Sequence, residues 1–428
     1  MNIRIRNVRW LPSFHSAELS AGDIALKEGR ILAMGSVPAG FEASHEIDGT
    51  GTIALPGLVN AHTHVSMGLF RNIADDLDLM DWLEKRIWPL EERMSGEDVY
   101  WGAMLSMAEL VRSGVTAFAD MYFSMDRVIE AAVTAGVRVN AAVGLTGDRA
   151  AAREKLADFR AFFAQWEGAG KGLVKVDIGP HAPYTCDGGC FEEAARCAED
   201  LGCGIHVHLS ETTGEVEECR RKTGLTPVQL AERSGFFRHR TIAAHCVHVD
   251  GQDIELLSSP GVHVVHNPSS NLKLASGFAR IQEMYRAGVQ VALGTDGSSS
   301  NNNLNMFEEM HIAAILAKAV AADPRALPAA EVLRMAGSGG AAALGLPEGC
   351  GTLAVNAPAD LILVRTDPVH MQPFHDPRSA LVYSAQASDV DTVICAGRVL
   401  MEGRRLLTMD EEEIARKAGE AISRLQQG

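Results

Sequence analysis

Five segments of this 428-residue sequence carry His or Asp where apolar runs end: Asn60-Ala61-His62-Thr63-His64, His206-Val207-His208, His245, His266-Asn267 and Thr295-Asp296. His62 and His64 are two positions apart, so on an extended strand both imidazoles project to the same side. That spacing suits two ligands of one ion. A lone His-x-His is equally a polar strand end, but His208 and Asp296 add a third imidazole and a carboxylate. Such a set fits one divalent ion per chain, zinc first and ferrous ion as a substitute. Its net charge of about +1 would draw the pKa of a bound water toward ~7, which is hydrolytic chemistry.

Two further residues extend the pattern. Glu211, in His208-Leu209-Ser210-Glu211, lies just past a strand end and could shuttle protons above the ion. The alternative is a first-turn acid in a helix capped by Ser210 or Thr213. His245 could serve as a core histidine, or could face the reaction from the end of its run. Rival metal sites lack their residues. No Cys pair follows a His-x-Glu, and His-Glu-x-x-His is absent. The bridging Lys of a two-metal centre is missing too, since Gly179-Pro180-His181 ends its run and Lys175 comes too early.

The elements that must position these groups are short β-branched runs at residues 55–60, 116–121, 137–143, 174–179, 204–208, 241–245, 262–266 and 289–294. Segments of helical spacing separate them, so the expected fold class is α/β, a (β/α)8 TIM-type barrel. Groups at the C-terminal strand ends of such a barrel converge on one mouth. Both chain ends read differently. Residues 2–10, a hairpin over 23–33 turning at Glu28-Gly29, and 52–55 have strand character. So do residues 352–355, 360–364 and a hairpin over 390–401, followed by a helix over 410–425. The expected division is a small β-sandwich domain built from both termini (1–56 and 350–428, with the terminal helix) around a barrel at 57–349.

With these segments in place, the sequence resembles the amidohydrolase superfamily. Leu55-Pro56-Gly57-Leu58-Val59-Asn60-Ala61-His62-Thr63-His64 is similar to its first-strand motif. Further likeness is to the 5-methylthioadenosine/S-adenosylhomocysteine deaminases. It lies in His208-Leu209-Ser210-Glu211-Thr212, in His266-Asn267-Pro268-Ser269-Ser270-Asn271-Leu272-Lys273, and in Gly294-Thr295-Asp296-Gly297 with Asn301-Asn302. It continues to Ala380-Leu381-Val382-Tyr383-Ser384-Ala385.

The resemblance implies hydrolytic deamination of a 5′-modified adenosine to the inosine analogue. Candidates are 5-methylthioadenosine, S-adenosylhomocysteine, adenosine and 5′-deoxyadenosine. His62, His64, His208 and Asp296 would hold the metal, and Asp296 and His245 would orient the attacking water. Glu211 would protonate ring N1 and help expel ammonia. Glu91, in Trp88-Pro89-Leu90-Glu91, would grip the ribose hydroxyls, Trp82 would pack on the 5′-substituent and His181 would reach the nucleoside. For Glu91 and Trp82 the plain alternative is an amphipathic helix over 81–93 with exposed acids.

Departures from the family pattern fall near the substrate tail. The arginine often found in the third-strand loop has no counterpart: Val143 precedes Gly144-Leu145, and Arg149 and Arg153 are unassigned. The stretch Cys186-Asp187-Gly188-Gly189-Cys190 is richer in glycine than expected. Triazine chlorohydrolases and other aminoheterocycle deaminases share much of the pattern. A catalytically silent barrel used for binding or assembly is the reading from another class, disfavoured because every expected site residue is present.

The resemblance implies a small-molecule nucleoside substrate, and composition permits a cationic or neutral small molecule without choosing among them. Hydrophobic residues make up 46%, enough for a large core, and net charge is −16 with no basic run. That argues against nucleic acid and anionic membrane as partners. The eight cysteines form no Cys-x-x-Cys pair and read as free thiols of a reducing cytoplasm. Arg4, Arg6 and Arg9 leave no apolar signal segment, and no run reaches the ~20 apolar residues of a membrane helix. A homo-oligomer is compatible with all of this.

Overall fold

The computed structural model describes residues 2–12 and 14–427. Five strands open the chain: β1 (Ile3–Trp10), β2 (Ser20–Lys27), β3 (Arg30–Gly35), β4 (His45–Asp48) and β5 (Thr52–Pro56). Eight follow, each but the first preceded by helical segments: β6 (Leu58–Thr63), β7 (Val115–Tyr122), β8 (Arg138–Leu145), β9 (Val174–Pro180), β10 (Ile205–Leu209), β11 (Thr241–His245), β12 (Val262–His266) and β13 (Gln290–Leu293). The last four are β14 (Leu361–Arg365), β15 (Val390–Cys395), β16 (Arg398–Glu402) and β17 (Arg405–Leu406).

The outer strands form one sheet in the order β17-β16-β15-β14-β5-β1-β2-β3, with β4 beside β1. β5 and β14 pair antiparallel and join the two ends of the chain. Ile3, Ile5, Ile24, Ile31, Leu361 and Ile394 meet in one apolar cluster, so the sheet folds over a core of its own. The β2–β3 hairpin turns at Glu28 and Gly29, both at positive φ as a tight two-residue turn requires.

Two expectations are corrected here. Residues 352–355 form no strand; Val355 is 53% exposed and the segment has no ladder partner among the described residues. Residues 55–60 are not one strand either, because the chain changes sheets at Gly57. Its N–H bonds Asp360 in the outer sheet, and the next, from Leu58, bonds Gly114 beside the barrel. A Cβ at Gly57 would lie 2.1 Å from Thr116 Oγ1, so only glycine fits this crossing. The first barrel strand therefore runs to Thr63, with His62 inside it. β4 and β17 were not anticipated; they are short and largely polar, with little alternation to read.

β6 to β13 pair in parallel, in chain order. Asn60 closes the barrel, donating from Nδ2 to Thr295 Oγ1 (2.7 Å) and accepting the Thr295 N–H at Oδ1 (3.0 Å). The Asp296 N–H donates to the His62 carbonyl at 3.0 Å. Gly294 permits this approach, since a Cβ there would lie 2.9 Å from His62 N. The terminal helix Glu411–Gln427 returns to the barrel helix Gly96–Arg112, with Arg112 and Glu411 paired at 2.6 Å. Among the described residues no helix is long and apolar enough to cross a membrane. All eight cysteines are buried and free.

Candidate active site

β6, β10 and the turn after β13 bring four donors together at the C-terminal mouth of the barrel. Asp296 Oδ1 lies 3.4 Å from His62 Nε2 and 3.3 Å from His64 Nε2. His208 Nε2 lies 3.3 Å from His64 Nε2. His62, His64 and Asp296 make one potential metal cluster, and His62, His208 and His245 a second that shares His62. His266, at the end of β12, is buried but joins neither cluster, so four of the five segments converge rather than all five. Ser210, His245 and Asp296 all have positive φ, at 52°, 71° and 63°. Three non-glycine residues in the left-handed region at one mouth mark a site held in strained geometry by its surroundings.

The neighbouring hydrogen bonds show that these donors fit a cation. His64 Nδ1 donates to the Met121 carbonyl (2.7 Å) and His208 Nδ1 to the His181 carbonyl (2.8 Å). A carbonyl only accepts, so in the neutral imidazoles each Nε2 keeps its lone pair, and the two lone pairs then face each other. His62 Nε2 is buried without a hydrogen-bond partner among the described residues. Burial opposes charge on His64, yet the hydrogen bond and charge of Asp296 outweigh it and raise the imidazole to about 9. Burial dominates at His62 and lowers it to about 4. Asp296 therefore draws positive charge into a cluster of lone pairs, the setting a divalent ion occupies. Asp296 Oδ2 is held by the hydroxyls of Ser270 (2.6 Å) and Ser300 (2.9 Å), and Oδ1, fixed by the Gly297 N–H (2.8 Å), faces the two imidazoles.

Glu211 is 3% exposed, and burial raises its pKa although His245 partly opposes the shift. It precedes the helix Thr213–Thr223, whose cap is Thr212 rather than Ser210 or Thr213. Glu215 fixes it from below, accepting the N–H groups of Ser210 (2.8 Å) and Glu211 (2.7 Å). Burial pushes the Glu215 carboxyl up to about 7. Its signal was in the sequence as Thr212-x-x-Glu215, a capping-box pattern, but its carboxylate bonds the residues before the cap. His245 Nδ1 pairs with Asn271 Oδ1 at 2.8 Å, and its Nε2 lies 3.7 Å from Glu211 Oε2.

A cavity of ≈ 320 Å³ opens from the metal cluster and is lined by His64, His208, Glu211, His245 and Asp296 at its base. Its outer wall includes Trp82, Glu91, Tyr122 and His181. Burial raises the pKa of Glu91, against a hydrogen bond from the Tyr122 hydroxyl. The exposed-acid alternative therefore does not describe Glu91, and Trp82 is only 5% exposed. His181 Nδ1 pairs with Thr185 Oγ1 at 2.8 Å. Arg149 and Arg153 lie elsewhere, paired with Glu193 at 3.2 and 3.0 Å. Lys155, which the sequence did not single out, is the one Lys or Arg lining the cavity among the described residues, and donates to Thr146 Oγ1 at 3.0 Å.

A parallel barrel with three imidazoles and a carboxylate converging at its mouth defines a metal-dependent hydrolase of the barrel type. The amidohydrolase family profile matches residues 53–400, and the chain belongs to that family. It is 47% identical over 428 residues to the 5-methylthioadenosine/S-adenosylhomocysteine deaminase of Desulforudis audaxviator, covering 99% of both chains. Among solved structures it superposes on a zinc-bound adenosine deaminase from Xanthomonas campestris with a TM-score of 0.93, at 34% identity over 100% of this chain and 99% of that one. It also matches an atrazine chlorohydrolase from Arthrobacter aurescens in complex with zinc, with a TM-score of 0.90, at 28% identity over 98% of this chain and 100% of that one.

Proposed function

We propose that this chain is a hydrolytic deaminase of 5′-modified adenosines, releasing ammonia and the inosine analogue. One observation carries the reading: a buried acid, Glu211, beside the cation cluster shares a cavity with a half-buried carboxyl, Glu91. The first suits an adenine ring and the second the vicinal hydroxyls of a ribose. The relatives at about half identity carry the same substrate class in their names.

His62, His64, His208 and Asp296 would hold one divalent ion. Zinc is the expected metal, with ferrous ion accepted by the same donors. The ion supplies ionised water at neutral pH. Glu211, whose pKa burial raises, gives its proton to ring N1 as the C6–O bond forms, so the ring gains no negative charge. His245 Nε2 faces the same point and holds the new oxygen. Asp296 Oδ1 orients the incoming water. Glu211, now a carboxylate, takes the proton of the new C6 hydroxyl and delivers it to the amino group, which leaves as ammonia when the C6–N bond breaks and C6=O forms. At the far end Glu91 accepts from the 2′- and 3′-hydroxyls, His181 reaches the nucleoside and Trp82 covers the 5′-substituent. Lys155 would meet a carboxylate on that substituent where one is present.

The domain division proposed is 1–56 with 350–428 around a barrel at 57–349, supported by the change of sheet at Gly57. A reducing cytoplasm suits the eight free cysteines. The deciding experiment is loss of adenosine-type absorbance with ammonia release, on metal-replete protein and a panel of adenosine nucleosides and chlorotriazines. Turnover of the nucleosides is expected. Dechlorination of a triazine with every nucleoside inert would overturn the reading, and metal analysis showing no bound ion would point to a silent barrel.

A further inference from the structure

The helix that carries Trp82 and Glu91 is not wound evenly. It begins as Leu79–Trp82, opens into a π turn over Leu83–Ile87 and resumes as Trp88–Glu91. The Trp88 N–H bonds the Leu83 carbonyl, five residues back, where an α-helix reaches four back. The sequence contains a cause. Pro89 comes next, with no N–H to offer and a ring that would press on the Lys85 carbonyl in a regular turn. A wider turn ahead of it moves that carbonyl away.

The wide turn decides which way Glu91 faces. Nine residues of unbroken α-helix make about two and a half revolutions, which would set Glu91 opposite Trp82. It would then share the face of Glu84, seven residues earlier and exposed. One residue absorbed in a π turn removes about 100°, leaving Glu91 within roughly a quarter-turn of Trp82. Both do line the cavity. Pro89 is exposed and lines nothing there.

We propose that Pro89, through the π turn, is the positioning residue that turns Glu91 into the substrate cavity and so lets one helix hold both the ribose and the 5′ end. The inference rests on the deaminase reading. Two variants approach it independently: Pro89→Ala removes the cause, and deletion of Lys85, an exposed residue of the wide turn, removes the extra residue itself. Each is made alone and with Glu91→Gln, and assayed on adenosine and 2′,3′-dideoxyadenosine, with bound metal and Tm as controls for folding.

In the wild type, Glu91→Gln should cost on the order of tenfold or more in kcat/KM for adenosine, the range of a hydrogen bond to a charged group. In either variant KM for adenosine should rise by about as much with kcat little changed, the preference for the riboside should collapse, and Glu91→Gln should add almost nothing. Metal-replete variants that keep the riboside preference and still lose activity on Glu91→Gln would overturn the inference while leaving the deaminase reading intact. A wild type inert toward every adenosine would defeat that reading, and the inference with it.

Discussion

His62 Nδ1 lies 2.8 Å from His206 Nε2, so the fully buried imidazole of the metal cluster rests on another imidazole rather than on a carbonyl. For His62 to present Nε2 to an ion, its Nδ1–H must donate, and His206 Nε2 must accept with the hydrogen on its own Nδ1. His206 Nδ1 is buried and has no hydrogen-bond partner among the described residues. His206→Phe should keep the fold but leave the His62 Nδ1–H unpaired. Metal affinity should fall about 10–100-fold, read by competition with a chelator. A variant that holds metal as tightly as the wild type would show that His206 orients nothing.

Glu211→Gln separates chemistry from binding. It keeps the shape and the Ser276 contact but cannot carry a proton, so turnover should fall by at least ~10²-fold with metal content unchanged. His62→Ala should do the reverse and lose the ion itself. Near-normal turnover in Glu211→Gln would remove the proton shuttle from the scheme.

Lys155 should matter for one kind of substrate. Lys155→Met is expected to lower kcat/KM several-fold for a nucleoside whose 5′ tail carries a carboxylate and to leave 5-methylthioadenosine unchanged. The effect should shrink as salt is raised, because Lys155 is exposed. Equal losses on both substrates would mean that the lysine only supports the wall.

Arg138 and Asp360 tie the barrel to the outer sheet through a buried pair, with Nε to Oδ2 at 2.8 Å and side chains 7% and 4% exposed. Asp360 also accepts the Ala396 N–H at 2.6 Å. Arg138→Met leaves a buried carboxylate without its cation, so denaturant unfolding should show a loss of about 3–5 kcal/mol. A loss under ~1 kcal/mol, the scale of a surface pair, would contradict the burial.

Glu309 predicts a stability change with pH. It accepts from Ser269 N (3.2 Å) and Asn301 Nδ2 (2.7 Å), and burial lifts it from 4.5 to about 7. The folded chain then keeps a proton that the unfolded chain has lost, from about pH 4.5 up to about 7. Stability should fall as pH rises through that window and level off above it. Comparing Tm against pH for the wild type and Glu309→Gln isolates the effect, since the variant should lack this part of the slope. Parallel curves would place the Glu309 pKa near its ordinary value.

The barrel strands were legible because each is a short β-branched run, and buried strands carry little else. The candidate metal donors stand out because the strand ends interrupt those runs with His and Asp. His62 and His64 even reveal their common direction, through the two-residue period of a strand. Glu211 could be placed beyond a strand end but not oriented, since its direction depends on Glu215, whose carboxylate grips the chain before the helix. The expected domain boundary falls at Gly57, yet the run 55–60 reads through it as one strand. An apolar run continues through it, and only the contact with Thr116 and the two hydrogen-bonding frames show where one sheet stops.

By itself the sequence determined the barrel, the hydrolytic metal chemistry and a set of candidate residues for it, because side-chain type and local period are properties of neighbours along the chain. Only the tertiary structure decided that His266 stays outside, that His206 backs His62, that Lys155 rather than Arg149 or Arg153 reaches the cavity, and that Glu91 faces inward. Those outcomes depend on which distant backbones meet at the barrel mouth and on the winding of one helix. Local spacing carries no record of the first, and of the second only Pro89.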